Sequence, residues 1–353
     1  LDAALLPDLA IDRANAPLEV LDGGQPDRGT SIKATVIIFV IDGLMADTAK
    51  TAAQNGATNL KTIFDSGVQV ETVRTTSPSV RVELPGGIRP WGNATSGNVS
   101  MHTGTHLFEA DSSGMDDIFL ATKALGIKSV YSGGDNNYGI FKTATFNFGK
   151  QMEDQEVVEQ AIKHLRSDGA RLFRLHLQRV RDVWKGIADK TNPNSAYIRK
   201  IVEADGYLGK LIAACKEVGV WDSTYLVIAG DHGMAGGSSG PHLANVPASW
   251  EPFLAFMGPG LKKGASIPYA ELPDIAVTTM HFFGLPPLKG HTASLPNLSV
   301  PGPTGTVLKN LFEGTNAEMN HPRYIDQYLK QGTYTSTGDS YAPYRTFMLG
   351  ILR

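Results

Sequence analysis

The sequence predicts an α/β fold: a doubly wound, mostly parallel sheet with helices on both faces, forming a single domain with N- and C-terminal extensions. Three observations lead there. Strand and helix patterns alternate along the chain, which is how crossover connections read in sequence. The first strand pattern, T-V-I-I-F-V-I at 35–41, is a continuous apolar, β-branched run. A strand without polar alternation is buried on both faces, as in a parallel sheet. Two apolar strands also end in acid: Asp42 follows VIIFVI, and Asp231-His232 follows YLVIAG. Ligands of open α/β sheets bind beyond the carboxyl ends of their strands.

The elements follow in order. Residues 1–32, rich in Pro, Asp and Gly without a period, read as a surface arm. After the first strand a helix is expected over Thr48–Ser66 and a strand over Val68–Arg74. The stretch Arg81–Trp91 reads as an insertion, either a surface loop or a pocket rim bearing Arg89 and Trp91. Helix Met115–Leu125 with strand Ser129–Ser132, and helix Glu156–Ser167 with strand Leu172–Val180, supply two more α/β steps. Asn194 or Ser195 offers an N-cap to a long helix with Ile198, Ile201, Val202, Leu208, Leu211, Ile212 and Cys215 on one side. Strand Tyr225–Ala229 and helix Leu272–Phe283 complete a domain spanning 33–313, and residues 314–353 read as an extension packed on it.

Composition narrows the function classes. With 353 residues, 42% hydrophobic and 19% charged, the chain has ordinary globular content. No apolar run approaches the roughly 18 residues of a membrane-spanning helix. A net charge of −3, with no basic stripe or aromatic stacking motif, argues against a nucleic-acid partner. The single Cys215 excludes an intrachain disulfide framework, and its place on an apolar helix face marks it as core. The chain begins at Leu1 rather than Met, which a cleaved signal peptide and simple trimming explain equally well; a periplasmic or secreted location is expected ahead of a cytoplasmic one. The sequons at Asn93, Asn98 and Asn297 matter only in a glycosylating pathway.

Either strand-end aspartate, taken alone, also reads as a helix cap or turn former. Brought to one sheet edge, a carboxylate and a carboxylate–imidazole pair make a donor set for a divalent metal. His242, ten residues after His232 in a Gly/Ser-rich loop, is either a further ligand or a solvated loop histidine.

VIDGL at 40–44, the Ser/Thr-rich segment ending in TG at 103–104, AGDHGM at 229–234, GPH at 240–242, MGPGLKKG at 257–264 and PDIAVTTMHFFGLP at 273–286 occur in this order. Together they resemble the alkaline phosphatase superfamily, and within it the type I phosphodiesterase/nucleotide pyrophosphatase and sulfatase-like branch, over roughly residues 33–313. The resemblance implies phosphoryl or sulfuryl transfer at a metal site, by a Thr or Ser nucleophile at a helix N-terminus. Asp42, Asp231 and His232 would hold one ion, zinc before manganese or iron, that also binds and activates the nucleophile. Helix N–H groups would stabilise the charge that builds during attack.

The sequence departs from that pattern in two places. The family's second-metal segment, D-x-x-G-H, is absent after strand Leu172–Val180, where Arg181 and Lys185 fall near the expected Asp and His. A cation is no ligand for a cation, so one ion is expected rather than two. Arg181 and Lys185 either present fixed positive charge to a substrate anion or pair with Asp182 and Asp189 on an exposed loop. Asp182 and His176 are the alternative makings of a second site. In the nucleophile segment, counting back from Thr103-Gly104 matches Ser100 to the family serine and lands on Ala94. A shift of one residue gives Thr95 as nucleophile and metal ligand, with Asn98 steadying the anion; Ser96 and Ser100 are the other hydroxyls, and a site without a nucleophile is the remaining alternative. SPSVR at 77–81 lacks the offsets of the sulfatase formylglycine signature. The expected function is a hydrolase or transferase acting on a phosphate ester, phosphodiester or related small anion. The alternatives are a degenerate relative that binds metal or ligand without turnover, and a mutase or lyase variant.

Overall fold

The computed structural model describes residues 33–76, 80–84, 87–91, 96–105, 116–134, 142–149, 152–184, 187, 189–234, 247–288 and 305–315, the hairpin strands, Ser96 and Pro247 by backbone alone. The expectations for residues 1–32, Thr95, Lys185, His242 and most of 314–353 lie outside the described residues.

Strands β1 (Thr35–Ile41), β2 (Val68–Arg74), β5 (Ser129–Gly133), β6 (Phe146–Gly149), β7 (Leu172–Leu177), β8 (Thr224–Ala229), β9 (Leu254–Met257) and β10 (Ala265–Glu271) form one eight-stranded sheet in the order β10-β2-β9-β8-β1-β7-β5-β6. Only β9 runs antiparallel to its neighbours, so the sheet is mostly parallel, as expected. A separate antiparallel hairpin, β3 (Val80–Leu84) with β4 (Gly87–Trp91), accounts for the insertion.

The sheet is covered twice. Ile37, Phe39 and Ile41 of β1 pack into the main core with helices α1 (Ala46–Gln54), α2 (Thr58–Ser66), α5 (Asp154–Asp168) and α7 (Ala196–Glu217). Side chains alternate along a strand, so Val36, Ile38 and Val40 face the other way. That second face carries α3 (Ser96–Thr103), α4 (Ile118–Lys123) and α8 (Asp274–Phe282). Phe282 of α8 stacks on Tyr225 of β8, ring centroids 4.1 Å apart, which fastens this layer to the sheet. All seven residues of β1 are buried, in keeping with its unbroken apolar run. Cys215 is buried in the main core, and Ser195 caps α7 by accepting from Ile198 N at 3.1 Å. Among the described residues no helix is long and apolar enough to cross a membrane.

Strands β6, β9 and β10 were not expected from the sequence, and two expected elements are built differently. The helix expected over Thr48–Ser66 is two helices, broken at Asn55-Gly56, where Gly56 takes φ +115°, a conformation that favours glycine. The start of α2 has no side-chain cap of its own at Ala57. Asp205 of α7, buried, fills that role from across the core by accepting from Asn59 N (3.1 Å) and Leu60 N (2.7 Å). Strand β7 stops at Leu177 rather than Val180, because Arg179–Asp182 turn into the short helix α6. Asp154 of α5 holds that turn, accepting from Gln178 N at 2.9 Å and Arg179 N at 3.3 Å.

Asp205→Ala removes the cap of α2 and should lower stability by about 1–2 kcal/mol. Thermal denaturation checks this; an unchanged melting temperature would contradict the capping role.

Candidate metal centre

β8, β1 and β7 are adjacent and parallel, so their carboxyl ends lie side by side. β8 delivers Asp231 and His232, β1 delivers Asp42, and β7 delivers His176 two residues after Arg174. All are buried. His232 Nε2 lies 3.0 Å from Asp42 Oδ1 and 3.6 Å from Asp231 Oδ1. His176 Nε2 approaches the other oxygen of each carboxylate, at 3.4 Å from Asp42 Oδ2 and 3.9 Å from Asp231 Oδ2.

The turn after β1 shapes this edge. Gly43 sits at φ +76°, and a β-carbon there would fall 2.6 Å from Met234 Sδ, so only glycine fits. Its N–H donates to Asp231 Oδ1 (3.1 Å), and its carbonyl accepts from Tyr197 of α7 (2.5 Å). Thr75, just past β2, donates to the Asp231 carbonyl at 2.6 Å. The D-G-L turn is thus tied both to β8 and to the main core.

One donor atom from each of Asp42, Asp231 and His232 falls within 4.8 Å of the others, a possible metal site. His232 Nδ1 is 2.7 Å from the Gly233 carbonyl, which only accepts, so Nδ1 carries a proton and Nε2 is the atom turned to the carboxylates. Among the described residues Asp42 Oδ1 accepts no aligned hydrogen bond, although His232 Nε2 is close. A buried carboxylate oxygen needs a partner, and either a proton on His232 Nε2 or a cation beside it would supply one. The donor set therefore fits a divalent ion.

The charges follow the same logic. Burial pushes the Asp42 carboxyl up, but His232 and His176 outweigh it and hold it well below the usual carboxylate range. Burial likewise disfavours a charged His232, yet Asp231 and Asp42 overcome it and lift its pKa to about 9. Without a cation, a proton on His232 is what the two carboxylates retain.

The remaining site residues are placed as follows. Asn98, buried on α3, donates from Nδ2 to Asp231 Oδ2 at 2.8 Å. Arg181 is half-buried on α6; with the Gln178 amide turned so that its nitrogen faces the Gly134 carbonyl, the Gln178 oxygen accepts from Arg181 Nη1 at 3.2 Å. Asp182 is exposed and pairs with Arg179 at 2.7 Å, whereas His176 joins the cluster. Asp189 is exposed and accepts from Thr191. Ser100 Oγ is buried 2.6 Å from Thr76 Oγ1, linking α3 to the end of β2. Arg174 went unnoticed in the sequence, although L-F-R-L-H-L puts Arg174 and His176 on one face of a buried strand.

The metal-free protein should hold the His232 contribution in full below pH 6.5, the ordinary histidine value, and lose it as pH rises through about 9. A bound cation displaces that proton, so metal affinity should rise over the same interval. Melting temperatures of the chelator-treated chain should fall by a few degrees between these limits, while the increment on adding zinc grows. A flat metal-free profile with pH-independent zinc binding would contradict the assignment.

A family model described as Sulfatase matches residues 121–285, from α4 to just past α8. No curated protein sequence matches the chain. Among solved structures it resembles an inactive form of murine ectonucleotide pyrophosphatase/phosphodiesterase 5 in complex with AMP, at TM-score 0.54 and 13% identity over 72% of this chain and 96% of that one. It also resembles the phosphonate monoester hydrolase of Agrobacterium radiobacter, at TM-score 0.57 and 14% identity over 81% of this chain and 78% of that one. A protein of the alkaline phosphatase superfamily from Vibrio parahaemolyticus matches at TM-score 0.54 and 14% identity, over 73% and 68% of the two chains. With the segment that matches the Sulfatase model lying inside this shared architecture, the chain has an alkaline phosphatase-like fold.

Proposed function

We propose that the chain is a metal-dependent hydrolase or transferase acting on a phosphate ester, phosphodiester or related small anion. The observation that carries this is the buried convergence of Asp42, Asp231 and His232 at the ends of adjacent parallel strands, with Asn98 fastening the first turn of α3 to the same cluster. Shared architecture with a phosphonate monoester hydrolase and an ectonucleotide phosphodiesterase supports the class of substrate.

Asp42, Asp231 and His232 hold the ion, zinc before manganese or iron, and Gly233 orients the imidazole through its carbonyl. When bound, the ion neutralises a substrate oxygen and lowers the pKa of a hydroxyl. Asn98 is the third residue of α3 and ties the start of that helix to the cluster, and in this reading the nucleophile comes from the sequence that leads into it, Thr95 before Ser96. In this reading Thr95 attacks phosphorus, the bond to the leaving oxygen breaks, and water later releases the phosphoryl group. The first N–H groups of α3 steady the developing charge. Arg181, on the helix directly after β7, is assigned to supply positive charge in place of a second ion, and the resemblance gives Lys185 the same role. The missing D-x-x-G-H favours one ion over two; it is also what favours the second reading, a relative that binds metal without turnover.

The zinc- or manganese-loaded chain should hydrolyse at least one of p-nitrophenyl phosphate, bis-p-nitrophenyl phosphate, p-nitrophenyl phenylphosphonate and p-nitrophenyl sulfate. Stoichiometric metal without turnover on any of them supports the binding reading instead. Asp231→Asn should lower kcat/KM by about 100- to 1000-fold, the usual scale for losing one stabilising group. Thr95→Ala should abolish turnover while metal stays bound. Activity that survives Thr95→Ala and disappears in Ser96→Ala moves the nucleophile by one residue.

A further inference from the structure

Arg174 lies in the middle of β7 and is fully buried. Its register neighbours are Ile38 on β1 and Tyr131 on β5, so it stands on the sheet face that α3 covers. Such a position normally holds an aliphatic side chain, and burying a guanidinium there is costly unless its donors are met. Both ends of the fork are held: Nη1 donates to the Leu175 carbonyl at 2.7 Å, and Nη2 donates to Asn98 Oδ1. Asn98 then donates from Nδ2 to Asp231 Oδ2 at 2.8 Å, while Gly43 N occupies Asp231 Oδ1 at 3.1 Å.

This chain has a direction. A guanidinium has no acceptor, so the Asn98 amide can face it only through its oxygen, which leaves the NH₂ group for Asp231. The bond to a charged donor also polarises the amide and strengthens its donation onward. We infer that Arg174 is a positioning residue of the metal centre: through Asn98 it fixes the rotamer of Asp231 and locks the first turn of α3 to the cluster. The inference rests on the metal-centre reading but not on any particular reaction. His102, one turn beyond Asn98 on α3, has its pKa held well below the ordinary histidine value by burial and by the Arg174 charge.

The test is cobalt(II) binding by the full-length chain, followed by visible absorption and by titration, in wild type, Arg174→Met, Asn98→Ala and the double variant. Arg174→Met should weaken cobalt binding about 10- to 100-fold, as loss of a ligand's supporting hydrogen bond typically does, and should alter the cobalt spectrum. Asn98→Ala should do the same, and the double variant should be no worse than the weaker binder, because the two residues act in series. Should Arg174→Met fail to fold, Asn98→Ala alone carries the test, since it leaves the buried guanidinium its Leu175 partner. Variants that match wild type in affinity and spectrum overturn the inference while leaving the metal centre intact; so does a double variant with fully additive losses. A wild-type chain that binds no cobalt removes the metal centre and the inference together.

Discussion

Two carboxylates are buried side by side at one edge of the sheet, and the surrounding structure answers the positive charge they require. Asp42 and Asp231 reach that edge because β1 and β8 are adjacent and parallel and both end in acid. Buried like charges repel strongly where water cannot screen them. His232, His176, the Gly43 amide and the Asn98 amide all present positive or donor atoms to the pair. The raised pKa of His232 and the depressed one of Asp42 are two expressions of the same demand. A divalent ion meets it more completely than a proton does, because it engages both carboxylates at once.

That demand organises structure well beyond the strand ends. Gly43 is glycine because the turn that lets its amide reach Asp231 holds it at φ +76°, a conformation that L side chains rarely adopt. Tyr197 braces the same turn from α7, so the helical layer on the opposite face of the sheet also bears on the site. On the near face, Arg174 and Asn98 connect the middle of β7 to Asp231 through the start of α3. The sequence before α3, where the resemblance places the nucleophile, therefore leads into a helix whose position the acidic pair helps to set.

What was legible in the sequence was local. The unbroken apolar run of β1, the alternation of strands and helices, the N-cap at Ser195 and the buried Cys215 follow from periodicity and capping chemistry within a few residues. Asp42, Asp231 and His232 were readable because each lies within three residues of the end of an apolar strand. The rest depends on partners distant in sequence. The split between α1 and α2 relies on Asp205, some 145 residues away, to cap the second helix. The turn into α6 relies on Asp154, and the shorter β7 is its consequence. Arg174 gains Asn98 as a partner only through its register beside Ile38, which the sequence does not show. His176 stood as a lesser alternative because nothing in the sequence shows that β7 lies against β1.

The central claim is that one cation sits among Asp42, Asp231 and His232. Anomalous diffraction from crystals grown with zinc or manganese tests it most directly. The account predicts a single peak per chain within about 2.0–2.2 Å of an oxygen from each aspartate and of His232 Nε2. A cluster closed by hydrogen bonds alone, without an anomalous peak, or a peak away from these three residues, would contradict it.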